Sequence, residues 1–201
     1  MRYPIGFRAR IRSDVRRVDG RLLVGGSPLR AVRLTDAALG LVTDGEVTVA
    51  DATTDALAAR LVDGNLADPV LDGPGVAPAE LTVVIPVRDR PDQLDRALEP
   101  LKGLHRIVVD DASLDPDAVA RVACRHGAHL VKLSENLGPA GARNAGLRAV
   151  RTRYVAFVDS DVTVEASTLL RLSRHFADSR VALVAPLVRS RARSRAPRWF
   201  E

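Results

Sequence analysis

Cysteine, methionine and tryptophan occur once each in this 201-residue chain, aromatic residues make up only 3% of it, and the lysines are Lys102 and Lys132 alone. Each shortage excludes something. A single Cys124 cannot form an internal disulfide, so the fold must rest on a packed core. Lying in a helix-like segment, it is expected to be a small buried hydrophobe. So few aromatics leave no stacking platform for a nucleic-acid strand. The net charge of +5 comes from arginines spread along the chain, and nucleic acid is not an expected partner. No apolar run approaches the ~18 residues that a membrane span requires. The opening stretch MRYPIGFRARIRSDVRR also lacks the apolar segment of a signal peptide, so the expectation is a cytoplasmic protein without a membrane span.

What is present suffices for a core: 46% hydrophobic and 27% charged residues, in a length that holds one sizeable domain or two small ones. The stretch LADPVLDGPGVAPAEL has the composition of a linker, which places a boundary at residues 68–80 between a first block, 1–67, and a second, 81–201. In the first block, DVRRVDGRLLVGG predicts a hairpin turning at Asp19 and Gly20. RLTDAALGLVTDG predicts a helix from a capping Thr35 to a stop at Gly45. TTDALAARLVDG predicts a second helix, capped by Thr54 or Asp55 and closed by Gly64.

In the second block, short two-face apolar runs alternate with helical patterns. Strands are expected at LTVVIPV, RIVVD, HLVKL, YVAFVD and VALVAP, with four helices between them. Five strands alternating with four helices predict a doubly wound α/β sheet with right-handed crossovers.

Ligands of such sheets lie beyond the carboxyl ends of the strands. Three strands here end in carboxylates: Asp89 after the first, Asp110 and Asp111 after the second, Asp159 and Asp161 after the fourth. Any one of these could simply shape a turn or cap a helix, and Asp115 in DDASLDPD reads as such a cap. Asp110 or Asp111 could also accept hydrogen bonds from the donor edge of a base. In FVDSDV, a turn after Asp159 would bring both carboxylates onto one cation. Hard oxygen ligands suit Mg²⁺ or Mn²⁺, with water and substrate phosphates completing the shell. The four histidines have no zinc spacing and read as ordinary residues.

A cation implies an anion, and ENLGPAGARNAGLRAV offers it a place. Gly138 and Gly141 allow close backbone approach, a helix start presents N–H groups, and Arg143 adds a fixed charge. A P-loop would require Gly-Lys-Ser/Thr, and a dinucleotide fold G-x-G-x-x-G after the first strand, where PVRDRPDQ stands instead.

VVIPVRDR, VVDDAS, NLGPAGARNAGL and YVAFVDSDV, in that order, resemble the nucleotide-binding half of family 2 glycosyltransferases. The resemblance implies a GT-A fold, a Rossmann-like, parallel-rich sheet flanked by helices, and inverting transfer from a nucleotide-diphosphate sugar, a UDP-sugar foremost. It also implies that Pro86 and Asp89 border the nucleotide, that Asp110 or Asp111 contacts the base, and that Arg143 lies by the base or diphosphate. Asp159 would contact the ribose or the metal. Asp161 would be the metal ligand of an Asp-x-Asp motif, holding Mn²⁺ or Mg²⁺.

The stretch from LLVGGSPLRAV to DALAARLVD resembles the small PqqD-like, winged-helix-type α+β module that binds precursor peptides. That module ahead of a family 2 transferase resembles the glycosyltransferases of mycofactocin biosynthesis, which glucosylate a peptide-derived redox cofactor. A peptide or peptide-derived acceptor is the corresponding partner. The family usually supplies its general base well after the Asp-x-Asp motif, in the acceptor-binding half, and none is visible here. The expectation is a donor-binding half that transfers sugar poorly or not at all by itself. A sugar-phosphate nucleotidyltransferase and a non-catalytic peptide-binding scaffold remain the alternatives. The run Arg189, Arg191, Arg193, Arg195 and Arg198 reads as a solvated loop.

Overall fold

The computed structural model describes residues 1–189. The chain forms two compact units, one comprising Met1–Val70 together with residues from His175 onward, the other Leu71–Arg174.

The first unit contains two small antiparallel sheets and two helices. One sheet has the order β5-β6-β1-β7, from β1 (Arg8–Ile11), β5 (Val42–Thr43), β6 (Glu46–Thr48) and β7 (Ala67–Pro69); the other is β2 (Arg16–Val18), β3 (Leu22–Gly25) and β4 (Arg30–Arg33) in sequence order. The expected hairpin forms, with Asp19 (φ 49) and Gly20 (φ 69) both in the left-handed region that its tight turn requires. The expected helix from Thr35 is much shorter. Thr35 does cap α1 (Asp36–Gly40), but the chain then turns into β5 and β6 through Asp44 and Gly45, both at positive φ. The Asp-Gly pair taken for a helix stop is therefore a hairpin turn, and Val42 and Thr43 on its approach favour a strand. The second helix, α2 (Ala52–Asp63), starts one turn earlier than expected. Asp51 caps it in a reciprocal box with Thr54.

Asp55 is thereby released from capping. It is buried and accepts the backbone N–H groups of Arg2 and Tyr3, both at 2.8 Å, tying the N-terminus to α2. The Arg2 guanidinium reaches Asp63 at 2.7 Å and Asp178 at 2.5 Å, and Tyr3 stacks on Phe7 above a core that includes Leu23, Val47 and Leu61.

The second unit is a four-stranded, all-parallel sheet in the order β10-β9-β8-β11: β8 (Leu81–Val87), β9 (His105–Asp110), β10 (His129–Lys132) and β11 (Tyr154–Phe157). Six of the seven residues of β8 are buried, as its unbroken apolar run requires of a central strand covered on both faces. Alternate β-residues feed two cores. Val83, Ile85 and Val108 meet Leu94 and Leu98 of α3 (Pro91–Leu98) and Val119 and Val122 of α4 (Pro116–Arg125). Val84, Ile107 and Val109 meet Ala142 and Ala145 of α5 (Gly138–Ala149) on the opposite face. The last helix, α6 (Ala166–Leu172), holds the Pro/Gly-rich stretch: its end accepts Val76 N on Ser173 Oγ at 2.9 Å, and Gly75 lies where a Cβ would come within 2.1 Å of Leu170 O.

Two further expectations are corrected. Residues 181–186 form no fifth strand; Leu183 is 82% exposed, and the sheet ends at β11. An apolar run becomes a strand only where an edge pairs with it, and these residues cluster with the first unit instead. Cys124 is exposed, because α4 buries Val119, Val122 and Ala123, and the next position turns about 100° away from that face. His126 is bonded to Asp95 at 2.8 Å where α4 meets α3. Of the arginine run, Arg191, Arg193, Arg195 and Arg198 lie outside the described residues.

Two outcomes follow. Gly146 sits where α5 touches the sheet, and a Cβ there would come within 2.4 Å of Val84 Cγ1 and 2.9 Å of Val109 Cγ2. Gly146→Ala gains about 1 kcal/mol of helix propensity, but overpacking two branched side chains costs about 1–3 kcal/mol. A net loss of stability is expected, read as a lower urea midpoint. Secondly, hydrogen bonds from Tyr3 N and Arg2 N hold the Asp55 carboxyl below its ordinary range, and those from the Arg2 side chain do the same for Asp63 and Asp178. These depressed groups contribute stability above about pH 4 that is lost as pH falls through their native values. Asp55→Asn should lower the urea midpoint at pH 7 and shrink its drop between pH 5 and pH 3, both read in parallel titrations.

Candidate functional site

The order of the second sheet reverses at β8: β9 and β10 lie on one side, β11 on the other. At this switch point the chain exits of β8 and β11 diverge and open a crevice, where open α/β sheets bind their ligands. A cavity of about 600 Å³ occupies it, lined among others by Pro86, Asp89, Asp111, Arg143, Asp159 and Asp161. Of the residues expected in a site, Asp110 and Gly141 are not on this lining; a Cβ at Gly141 would instead meet Leu137 Cβ at 2.4 Å.

Asp110 and Asp111 divide the work of their doublet. Asp110 is 2% exposed and its Oδ1 accepts Ser113 N at 3.0 Å, closing the turn beyond β9. Asp111 is also buried, but it borders the cavity, and its Oδ1 accepts Leu137 N at 2.7 Å. A carboxylate on a backbone N–H is a charge-assisted bond, and this one pins the loop ahead of α5 to the end of β9.

Asp89 lies in the left-handed region at φ 56, a conformation uncommon outside glycine and tolerated best by Asp and Asn. It is held there twice. Its N–H donates to Ser113 Oγ at 2.9 Å, and its Oδ1 accepts Leu114 N at 2.6 Å. The exits of β8 and β9 are thus bolted together by side chains from both.

Beyond β11 the chain turns, with Val162 N donating to Asp159 O at 3.0 Å, so Asp159 and Asp161 flank one bend with Ser160 buried between them. Both side chains are half exposed, at 53% each, and both face the cavity. Asp159 is paired with Arg143, and Asp161 lies 3.5 Å from Arg90 Nη1. Two hard, accessible carboxylates fit a divalent cation that takes its other ligands from water and a diphosphate. Among the described residues no group of three or more metal-ligating side chains gathers.

At the start of α5, Gly138 has φ 71, its N–H is taken by Asn136 Oδ1 at 3.0 Å, and Pro139 has no N–H to offer. This narrows the set of free donors expected at that helix end, and Arg143, one turn further on, carries the local positive charge. Sequence patterns did not single out Arg88, Arg90, Asn136 or Ser160, although all four line the cavity. The two arginines had a visible signal, since charged residues flank Asp89 directly after a buried strand. Asn136 had another, an Asn two residues before a glycine.

A family model described as glycosyl transferase family 2 matches residues 82–200. A pre-mycofactocin glycosyltransferase of Mycobacterium tuberculosis is 42% identical over 189 residues, which cover 93% of this chain and 40% of that protein. A succinoglycan biosynthesis protein of Rhizobium meliloti is 36% identical over 113 residues, covering 53% of this chain and 32% of its own. The chain therefore spans about 40% of the length of the Mycobacterium relative. No helix among the described residues is long and apolar enough to cross a membrane.

The Asp111 bond to Leu137 N gives the site a local test. In Asp111→Ala, amide exchange at Leu137 should quicken about tenfold or more, the loss of a charge-assisted bond, while amides within β8 stay protected. Site-resolved hydrogen exchange reads both.

Proposed function

The chain belongs to glycosyl transferase family 2, and on that premise we propose that its second unit binds a nucleotide-diphosphate sugar, of uridine type, in the crevice between β8 and β11. The observation that carries this proposal is the single cavity lined by Asp89, Asp111, Arg143, Asp159 and Asp161, whose residues come from four separate strand exits and helix starts. Family membership sets aside the sugar-phosphate nucleotidyltransferase.

In this reading Asp111 accepts from the base and Pro86 and Asp89 border the nucleotide; all three line the cavity. Asp161, with Asp159 beside it, would hold Mn²⁺ or Mg²⁺. Such an ion neutralises charge that develops on the departing diphosphate. The chain's own residues supply the rest. Arg143 offers a planar guanidinium to phosphate oxygens or the base. The turn from Asp159 to Val162 joins two carboxylates that both line the cavity. The acceptor hydroxyl then attacks the anomeric carbon opposite the departing diphosphate, inverting its configuration, and its proton passes to a general base.

The acceptor in this reading is a peptide-derived redox cofactor of the mycofactocin type, and the first unit is a PqqD-like module that recognises the peptide. Support comes from the Mycobacterium relative, whose similarity runs over 93% of the chain and hence through most of the first unit.

Titration calorimetry tests the donor site. UDP with Mn²⁺ should bind the purified chain in the micromolar range and lose binding in EDTA. Asp161→Ala should weaken the Mn²⁺-dependent binding about tenfold or more. An Asp161→Ala variant that binds UDP and Mn²⁺ as the parent does would remove the cation from Asp161.

A further inference from the structure

Arg90 stands where the chain leaves the central strand. It precedes α3 as its N-cap residue, one position after the left-handed Asp89, whose N–H and carboxylate are both anchored to the end of β9. From that anchored corner its guanidinium spans the crevice. Nη1 lies 3.5 Å from Asp161 Oδ2, beyond the exit of β11, and 3.4 Å from Gln93 Oε1. Arg143 holds Asp159 in the same manner, and Arg88 lies 3.7 Å from Asp89. Each carboxylate suited to a cation is thus already neutralised by a side chain that is itself suited to phosphate.

The charges constrain what can enter. A nucleotide sugar brings a diphosphate dianion, and its cation brings two positive charges, so the incoming set is balanced, as are the two ion pairs Arg90–Asp161 and Arg143–Asp159 that it meets. Two balanced sets can come together favourably only by exchanging partners, cation to carboxylate and guanidinium to phosphate. The geometry permits this exchange. Arg90 and Asp161 are 55% and 53% exposed, and an exposed pair of this kind is weak enough to be broken readily.

We propose that Arg90 is a positioning residue that exchanges partners: it pairs with Asp161 in the free protein and turns to a diphosphate oxygen of the donor once a cation occupies the carboxylates. This rests on the donor-site reading above. Arg90 then opposes a cation that arrives alone and favours the diphosphate that follows. A merely structural residue would not act with opposite sign on the two.

The test uses the full chain and calorimetry with two probes, Mn²⁺ alone and UDP at saturating Mn²⁺. In Arg90→Ala, Mn²⁺ alone should bind about 2- to 5-fold tighter, since a competing counter-ion is gone. UDP should bind about tenfold weaker. Arg90→Lys, which keeps the charge but not the planar fork, should fall between the parent and Arg90→Ala for UDP. The converse variant, Asp161→Asn, frees Arg90 and should bind UDP in EDTA more tightly than the parent does. Weakening of both probes in Arg90→Ala, or unchanged UDP binding, overturns the exchange while leaving the donor site intact. A parent chain that binds neither UDP nor GDP with Mn²⁺ overturns the donor-site reading itself, and the exchange with it.

Discussion

The candidate site depends on one constraint, the burial of β8 on both faces and along both edges. Its backbone is committed to β9 and β11, and its side chains to the helices on either face. A strand so enclosed has no freedom of register, because a slip of one residue would exchange the two cores. Parallel pairing then brings the carboxyl ends of three strands to one rim, and each of them exits into polar chemistry. The closeness of α5 to this sheet, possible only without a Cβ at Gly146, sets where Arg143 stands.

Polar bonds finish what the core begins. The rim is made of loops, which pack little apolar surface and would otherwise be loose. Here Asp89, Asp110 and Asp111 each accept a backbone N–H from a neighbouring turn. They therefore do structural work in the free protein, and for Asp89 and Asp111 that work leaves the residue on the cavity wall. Asp159 and Asp161 are different. They accept no backbone bond of this kind, stay half exposed, and are paired with Arg143 and Arg90. Buried, bonded carboxylates suit a fixed wall, and exposed, ion-paired ones suit an exchangeable cation.

The first unit solves a different problem with the same means. Its strands are short, its sheets small, and its N-terminal residues would fray without an anchor. The buried Asp55 and the Arg2 pairs with Asp63 and Asp178 supply that anchor around a core led by Tyr3, Phe7 and Leu61.

Much of this was legible in the residues themselves. The apolar runs of β8, β9 and β11, the caps Thr35 and Asp115, the turn at Asp19 and Gly20, and the polar strand exits are local signals, set by periodicity and backbone preference over a few positions. The errors were local signals with two meanings. Asp44 and Gly45 can stop a helix or turn a hairpin, and VALVAP can be a strand only where an edge receives it. Cys124 could be assigned a face only once the buried stripe of α4 was known. By itself the sequence determined which segments extend or coil and which residues carry charge, because those depend on neighbours along the chain. Tertiary structure alone decided that Asp111 faces the cavity while Asp110 closes a turn, and that Arg90 meets Asp161, because those depend on which strand exits parallel pairing sets side by side.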